Sequence, residues 1–193
     1  MTAKALLSAI DSVLKPLGFR RNKWIWNRET ADIVDVVTLQ RSKYDDEVTV
    51  NLGVLNSAVF RDCWGEDPQL PADETACTVR TRLGEWIEGR ERWWNLAEED
   101  TPSNIAGRLT QEGVPFFDRM HNLAEMEQYL VDTKVLERSY PLPIIYLAVL
   151  KARRGQPDAA CSILMTLGLR VPGAWKRRVS EASMRLGCKH APT

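Results

Sequence analysis

Apolar side chains at Leu6, Leu7, Ile10, Val13, Leu14 and Leu17 recur every three or four residues, which predicts an amphipathic helix over residues 3–17. Gly18 supplies the left-handed residue that ends such a helix. The period then shortens to two. Lys23–Asn27 is short and aromatic, and 32–41 is rich in β-branched residues. Residues 47–55 alternate, with Val48, Val50, Leu52 and Val54 on one side and Thr49, Asn51 and Gly53 on the other. Tyr44-Asp45-Asp46 reads as the hairpin turn between the last two strands, and the short links predict an antiparallel meander. The N-terminal helix is expected to cover the Val48/Val50/Leu52/Val54 face.

Residues 56–75, with Gly65, Pro68, Pro71 and five acidic side chains, read as a long loop. Residues 76–83 read as a fourth strand with Arg80 and Arg82 on one face. From Thr101-Pro102-Ser103 the pattern turns helical: a short helix around Ile105 and Leu109 ending near Gly113, a new turn from Pro115, and a helix over 122–131. The last sixty residues pattern as helices over 143–154, 158–167 and 174–186, broken by Gly155-Gln156-Pro157 and Pro172-Gly173. The expected fold class is therefore α+β: an N-terminal helix on an antiparallel sheet of about four strands, then helices. The expected domains are an α+β body over 1–133 and an all-helical appendage over 134–193 docked on it.

Composition adds little until it is resolved along the chain. Basic and acidic residues balance at 26 each, so net charge predicts neither a nucleic-acid nor a membrane partner. Residues 1–44 carry 8 basic and 4 acidic side chains (net +4), residues 45–133 carry 7 and 19 (net −12), and residues 134–193 carry 11 and 3 (net +8). One reading is internal neutralisation of the acidic middle by the basic ends. The other presents the acidic middle to a basic partner. Lys176, Arg177, Arg178 and Arg185, with Arg153 and Arg154, would be the footprint of a nucleic-acid contact, but they lie in no nucleic-acid motif.

The N-terminus has no continuous apolar core or cleavage site, and the longest apolar run, 144–150, is short of a membrane span. The expected location is the cytoplasm. Cys63, Cys77, Cys161 and Cys188 contain no CxxC pair, which predicts reduced thiols, and neither His121 nor His190 has a ligand-spaced neighbour, so no metal or cofactor is expected.

Nucleotide-loop, serine-hydrolase and zinc-protease signatures are absent, so no catalytic residue is assigned. Two sets of candidate binding residues remain. Asp62, Trp64, Glu66, Asp67, Trp93 and Trp94 combine acid with aromatic surface, the composition of protein interfaces. Trp24, Gln40, Asn51, Arg80 and Arg82 are large or polar groups on strands that would converge on the sheet as a ligand pocket. Trp24 and Trp26, two apart, are expected to share a strand face. In the tail, Leu147-Ala148, Gly155, Ala160, Leu164, Leu167 and Pro172 resemble one degenerate tetratricopeptide repeat. A single copy is expected to act as a docked helical hairpin rather than a peptide-binding array.

Leu17-Gly18-Phe19-Arg20-Arg21, the Trp-containing strand ending near Arg28, Leu39-Gln40-Arg41-Ser42-Lys43, Val50-Asn51-Leu52-Gly53-Val54, Arg82-Leu83-Gly84 and Trp93-Trp94 occur in this order. With them, residues 1–133 resemble a bacterial family of domains of unknown function. The resemblance implies an α+β fold and a bacterial source, and no established activity. By analogy alone, and with no matched motif, small families of this type serve as immunity proteins in toxin systems. The expectation is a non-enzymatic binding protein, toxin-neutralising in type, whose partner is another protein of basic character. A small-ligand or enzymatic domain using the sheet residues is the alternative, and a nucleic-acid accessory role for the last helix is the third reading.

Overall fold

The structure, a computed structural model, describes residues 3–189. In chain order its elements are α1 (Ala3–Leu14), β1 (Arg20–Asn22), β2 (Ile25–Thr30), β3 (Ile33–Arg41), β4 (Glu47–Asn56), α2 (Ser57–Trp64), β5 (Val79–Arg82), α3 (Glu85–Glu88), β6 (Trp94–Asn95), α4 (Thr101–Arg108), α5 (Val114–Met120), α6 (Leu123–Asp132), α7 (Leu142–Arg153), α8 (Pro157–Arg170) and α9 (Gly173–Arg185). The fold class is the expected one, a helix leading into an antiparallel sheet and then helices to the C-terminus.

The chain divides into two compact units. The first takes the residues up to Leu55 together with Gln69–Arg119. The second takes Asn56–Pro68 and everything from Met120 onward. This division differs from a boundary after residue 133: α6 and the short crossing segment that contains α2 belong with the C-terminal helices. His190 lies outside the described residues.

In the first unit the sheet runs β1-β2-β3-β4-β5, with β6 also paired to β4. The strand expected at 23–27 starts two residues late, because Asn22 pairs with Ile25 and Lys23-Trp24 form a tight turn. Lys23 there adopts a φ of 56°. Register places Trp26 opposite Val37 and Arg28 opposite Asp35 on one face, with Asn27 opposite Val36 on the other. The first face meets the helices. Leu6, Ile10 and Leu14 of α1 are fully buried, as are Val48, Val50, Leu52 and Val54. Trp26 Nε1 donates to Asp11 of α1 at 2.8 Å. Arg28 ion-pairs with the fully buried Asp35 at 2.8 Å and lies 4.9 Å from the Phe19 ring centre. A buried carboxylate requires such a partner, since an unpaired one costs several kcal/mol.

α4 continues into α5 through a π-helical turn, Leu109–Gly113, a wide turn that re-aims the side chains it carries. Gly113 suits it: a Cβ there would lie 3.3 Å from the Leu109 side chain and 3.8 Å from that of Leu52 on β4.

In the second unit, α7 is buried almost all round, from Leu142 and along Ile144–Leu150. The continuous apolar run is explained by its neighbours α2, α6 and α8. Ala148 and Ala160 are both fully buried and let α7 and α8 pack closely, as expected. Residues 57–64 correct the long-loop expectation. Asn56 caps the helix by accepting from Val59 N at 3.0 Å, and Gly65 ends it with a φ of 78°. Within it Val59 and Cys63 are buried at helical spacing. The thiols are a second correction: Cys161 and Cys188 form a disulfide, whereas Cys63 and Cys77 are free and buried.

Candidate functional site

The sheet residues expected to form a pocket are partly brought together, and they satisfy one another. Asn51, 6% exposed, donates through Nδ2 to Gln40 Oε1 at 3.0 Å and to Glu74 Oε1 at 3.5 Å. Its Oδ1 accepts from Arg82 Nε at 3.3 Å. Arg82 also ion-pairs with Glu91 and lies 5.5 Å from the Trp93 ring centre. Arg80, exposed, shares the face of Arg82, because the two pair with Gly53 and Asn51. Trp24 stands apart in the β1–β2 turn, where its carbonyl accepts from Leu39 N at 2.9 Å.

Residues 69–78 lie over this face. Asn27 fixes them by donating to Ala72 O at 2.9 Å and accepting from Ala72 N at 2.7 Å. Gly53 admits Cys77 so closely that a Cβ at position 53 would sit 2.5 Å from Cys77 Sγ. Burial pushes the Cys77 thiol well above its ordinary pKa, with the nearby Glu74 and Asp73 adding to the effect. It therefore makes a poor nucleophile.

Trp93 and Trp94 belong to an interruption of one sheet edge. β5 pairs with β4 over Asn51–Val54, and β6 pairs with it over Glu47–Val48. Leu83 N still donates to Val50 O at 2.9 Å. The chain then leaves at Gly84 (φ 93°), makes α3, and returns at Trp94. The π-helical turn holds the base of this excursion: Glu112, 6% exposed, accepts from Gly84 N at 3.1 Å and from Arg108 at 2.6 Å. Arg108 reaches on to Glu88 at 2.5 Å. The Glu88 carboxyl is held below its usual range, chiefly by that hydrogen bond. Trp93 is half-buried. Trp94 is 3% exposed, and its Nε1 is buried with no hydrogen-bond partner among the described residues. Trp94 is thus a core side chain rather than a displayed one.

Asp62, Trp64, Glu66 and Asp67 fall in the second unit, whereas Trp93 and Trp94 fall in the first. Asp62 ion-pairs with Arg153 at 2.7 Å, and Asp67 with Arg61 at 2.9 Å. Trp64 Nε1 donates to Tyr146 OH at 3.2 Å, and Arg178 stacks 4.2 Å from the Trp64 ring centre. Glu66 is exposed. Sorted by unit, the charge zones also shrink. The first unit carries 14 basic and 17 acidic residues (net −3), and the second 12 and 9 (net +3). The −12 stretch of sequence is divided between the units, and part of it is neutralised by the tail within the second.

An acidic, aromatic display does occur in the first unit, at the end of the sheet where β3 turns into β4. Tyr44 is 93% exposed at the hairpin tip. Ser42 Oγ accepts from Tyr44 N and Asp45 N, both at 3.2 Å, and Arg41 ion-pairs with Asp46 at 2.8 Å. The tip is tied to the chain after β6 by Leu96 N donating to Asp46 O at 2.8 Å. That chain turns through Ala97, Glu98, Glu99 and Asp100, all exposed, before Thr101 Oγ1 bonds back to Asn95 O at 2.7 Å. Five exposed carboxylates (Asp45, Asp46, Glu98, Glu99, Asp100) therefore lie on the Tyr44 hairpin and on the turn joined to it, Asp46 being paired with Arg41. In the sequence Tyr44 belongs to the turn between two strands. The available signal was a large aromatic inside an otherwise polar turn.

Among the described residues, no three His, Cys, Asp or Glu side chains come together to hold a metal ion, and no helix is long and apolar enough to cross a membrane. What this arrangement can do chemically is contact another surface through charge and one ring, on a mixed helix-and-sheet unit. That unit carries a known family signature. Residues 10–119, more than half of the chain, match the domain of unknown function DUF4304, and the chain belongs to that family. The match ends at Arg119, where the first unit also ends. No curated protein and no solved structure matches the chain.

Proposed function

We propose that the DUF4304 unit is a non-enzymatic bacterial protein-binding module, toxin-neutralising in type, which docks a basic protein partner on the Tyr44 hairpin and the Ala97–Asp100 turn. The observation that carries this reading is Tyr44, 93% exposed on a hairpin tip that is joined through Asp46 O to the acidic Ala97–Asp100 turn. A tyrosine supplies a rigid apolar body with a polar tip, which favours interface centres. Carboxylates on the hairpin and the joined turn steer a basic partner and raise its association rate. Of the expected residues, Trp94 serves here as the packed base of the adjoining sheet edge rather than as a contact.

The pocket reading has less to rest on, because Gln40, Asn51 and Arg82 spend their polar atoms on one another and on Glu74 and Glu91. The nucleic-acid reading likewise loses cations to internal work. Arg153 and Arg154 pair with Asp62 and Glu127, and Arg178 and Arg185 hold the last carbonyls of α2.

Capture from the native host tests the proposal. A protein retained by the wild type at low salt should be lost on Tyr44→Ala, since a central aromatic anchor contributes about 2 kcal/mol or more, roughly thirty-fold in affinity. It should also elute as salt shortens the Debye length below about 8 Å. Equal retention by Tyr44→Ala at all salt concentrations contradicts the proposal.

A further inference from the structure

The chain holds two chemically distinct pairs of cysteines. Cys63 and Cys77 are fully or nearly fully buried, and burial is the main cause that pushes the Cys63 thiol up to about 12. Cys161, in the first half of α8, and Cys188, just past α9, are each half-buried and joined as a disulfide across 27 residues. An external thiol therefore meets only the second pair, as a disulfide, in the folded chain.

What this bond fastens is α9. The helix has thirteen residues, and its fully buried side chains are Val179, Ala182 and Ser183. Burying one valine and one alanine recovers far less than the cost of ordering thirteen residues of backbone. The attachments described besides these are an aromatic contact and arginine hydrogen bonds. Trp175 meets Tyr140 edge-on at 5.6 Å. Arg178 donates to Trp64 O at 3.2 Å, and Arg185 donates to Asp62 O at 2.8 Å and to Cys63 O at 2.5 Å. These arginines cap the last carbonyls of α2 and lie beside Cys63, whose pKa their charges act to lower against the larger effect of burial.

We propose that Cys161–Cys188 is a thiol-operated latch on α9, opened by a monothiol of the glutathione class and closed by the corresponding disulfide. In opening, a glutathione thiolate attacks one sulfur, the S–S bond breaks, and the other cysteine leaves as a thiolate. A second glutathione thiolate then attacks the mixed disulfide, giving glutathione disulfide and two cysteine thiols, with protons taken from solvent. Closing runs the same two exchanges in reverse. On the chain-entropy account, freeing a 27-residue loop raises the open population of α9 by up to about a few hundred-fold. Opening withdraws Arg178 and Arg185 from α2 and uncovers Cys63. The latch is independent of the docking surface proposed above.

Cys63 and Cys77 make the test internal to the full chain. The protein is equilibrated with glutathione disulfide or with reduced glutathione, pulsed with iodoacetamide, and mapped by peptide mass. The oxidised protein should show a Cys161–Cys188 crosslink and slow labelling of Cys63. The reduced protein should label Cys161 and Cys188 at once and Cys63 at least ten-fold faster than before, with Cys77 still protected. Cys161→Ser should give the fast Cys63 rate under both conditions. Three results overturn the proposal: no intramolecular crosslink under glutathione disulfide, a Cys63 rate indifferent to redox state, or Cys77 labelling in step with Cys63, which would mean loss of the whole fold.

Discussion

Gly53→Ala distinguishes a covered sheet face from an open one by the sign of its effect. On an uncovered strand, alanine for glycine restricts the unfolded chain and stabilises by about 0.5–1 kcal/mol. Here the new Cβ would lie 2.5 Å from Cys77 Sγ and 2.9 Å from Cys77 Cβ. Both distances are closer than real contacts, and Cys77 is 4% exposed, so it has little room to move. Overpacking of this kind costs about 1–3 kcal/mol, which outweighs the backbone gain and leaves a net loss of about 1 kcal/mol. Cys77→Ala removes Sγ and should cost about 1 kcal/mol in lost burial. In the double variant the sulfur clash is gone while the Cβ–Cβ contact remains. The two changes should therefore be sub-additive by about 1 kcal/mol, well beyond the roughly 0.3–0.5 kcal/mol scatter of independent sites. Urea unfolding of the four proteins, analysed at a common m value, reads this directly. A Gly53→Ala protein more stable than wild type, or strict additivity, would refute the packing of residues 69–78 on the sheet and reopen the pocket reading.

Three further outcomes follow from the packing. Asp11→Ala orphans the buried Trp26 indole N–H and should cost about 2 kcal/mol, whereas Asp11→Asn keeps an acceptor and should cost less than about 1 kcal/mol; equal urea midpoints for the two would contradict this account. Glu127 is subject to burial, which alone would raise its pKa, but hydrogen bonds and charges from Lys151 (2.7 Å) and Arg154 (2.5 Å) prevail and hold the carboxyl below its ordinary value. Its contribution is therefore fully present above the unfolded value of about 4.3 and fades as pH falls through the lower folded value. Glu127→Gln should cost roughly 2 kcal/mol at pH 7, discounted from a fully buried pair because both cations reach water, and should flatten the acid limb of the stability curve. Tyr44→Ala should leave the thermal midpoint unchanged to within about 0.5 kcal/mol of stability, since the exposed ring supports nothing in the fold.

Periodicity carried much of the architecture. The helix at residues 3–14 and the strand at 47–56 were legible because each buries one repeating set of apolar side chains against a partner. Where a partner encloses an element on all sides, the period vanishes but the apolar run remains, as along Ile144–Leu150 of α7. Local capping was the weaker signal. Asn56 and Gly65 bracket α2 at the correct distance, yet Pro68, Pro71 and five carboxylates outweighed them. β6 was invisible because it is two residues long and exists only through its register with Glu47 and Val48. The disulfide depends on α9 folding back beside α8, and the spacing of Cys161 and Cys188 does not encode that. The candidate site was half legible. Gln40, Asn51 and Arg82 do converge, but their mutual bonding is a property of three dimensions. The acidic stretch was real in sequence, but the fold divides it between two units, with Trp64 in the second and Trp94 buried in the first.

Site-specific photo-crosslinking in the native host tests the docking surface most directly. A benzoylphenylalanine placed at position 44 or 99 should give a discrete adduct with one basic protein, and high salt should abolish it. The same group at the exposed Glu29, on β2, should give none. A salt-insensitive adduct at position 29, with none at 44 or 99, would contradict the assignment of the Tyr44 hairpin as the docking surface.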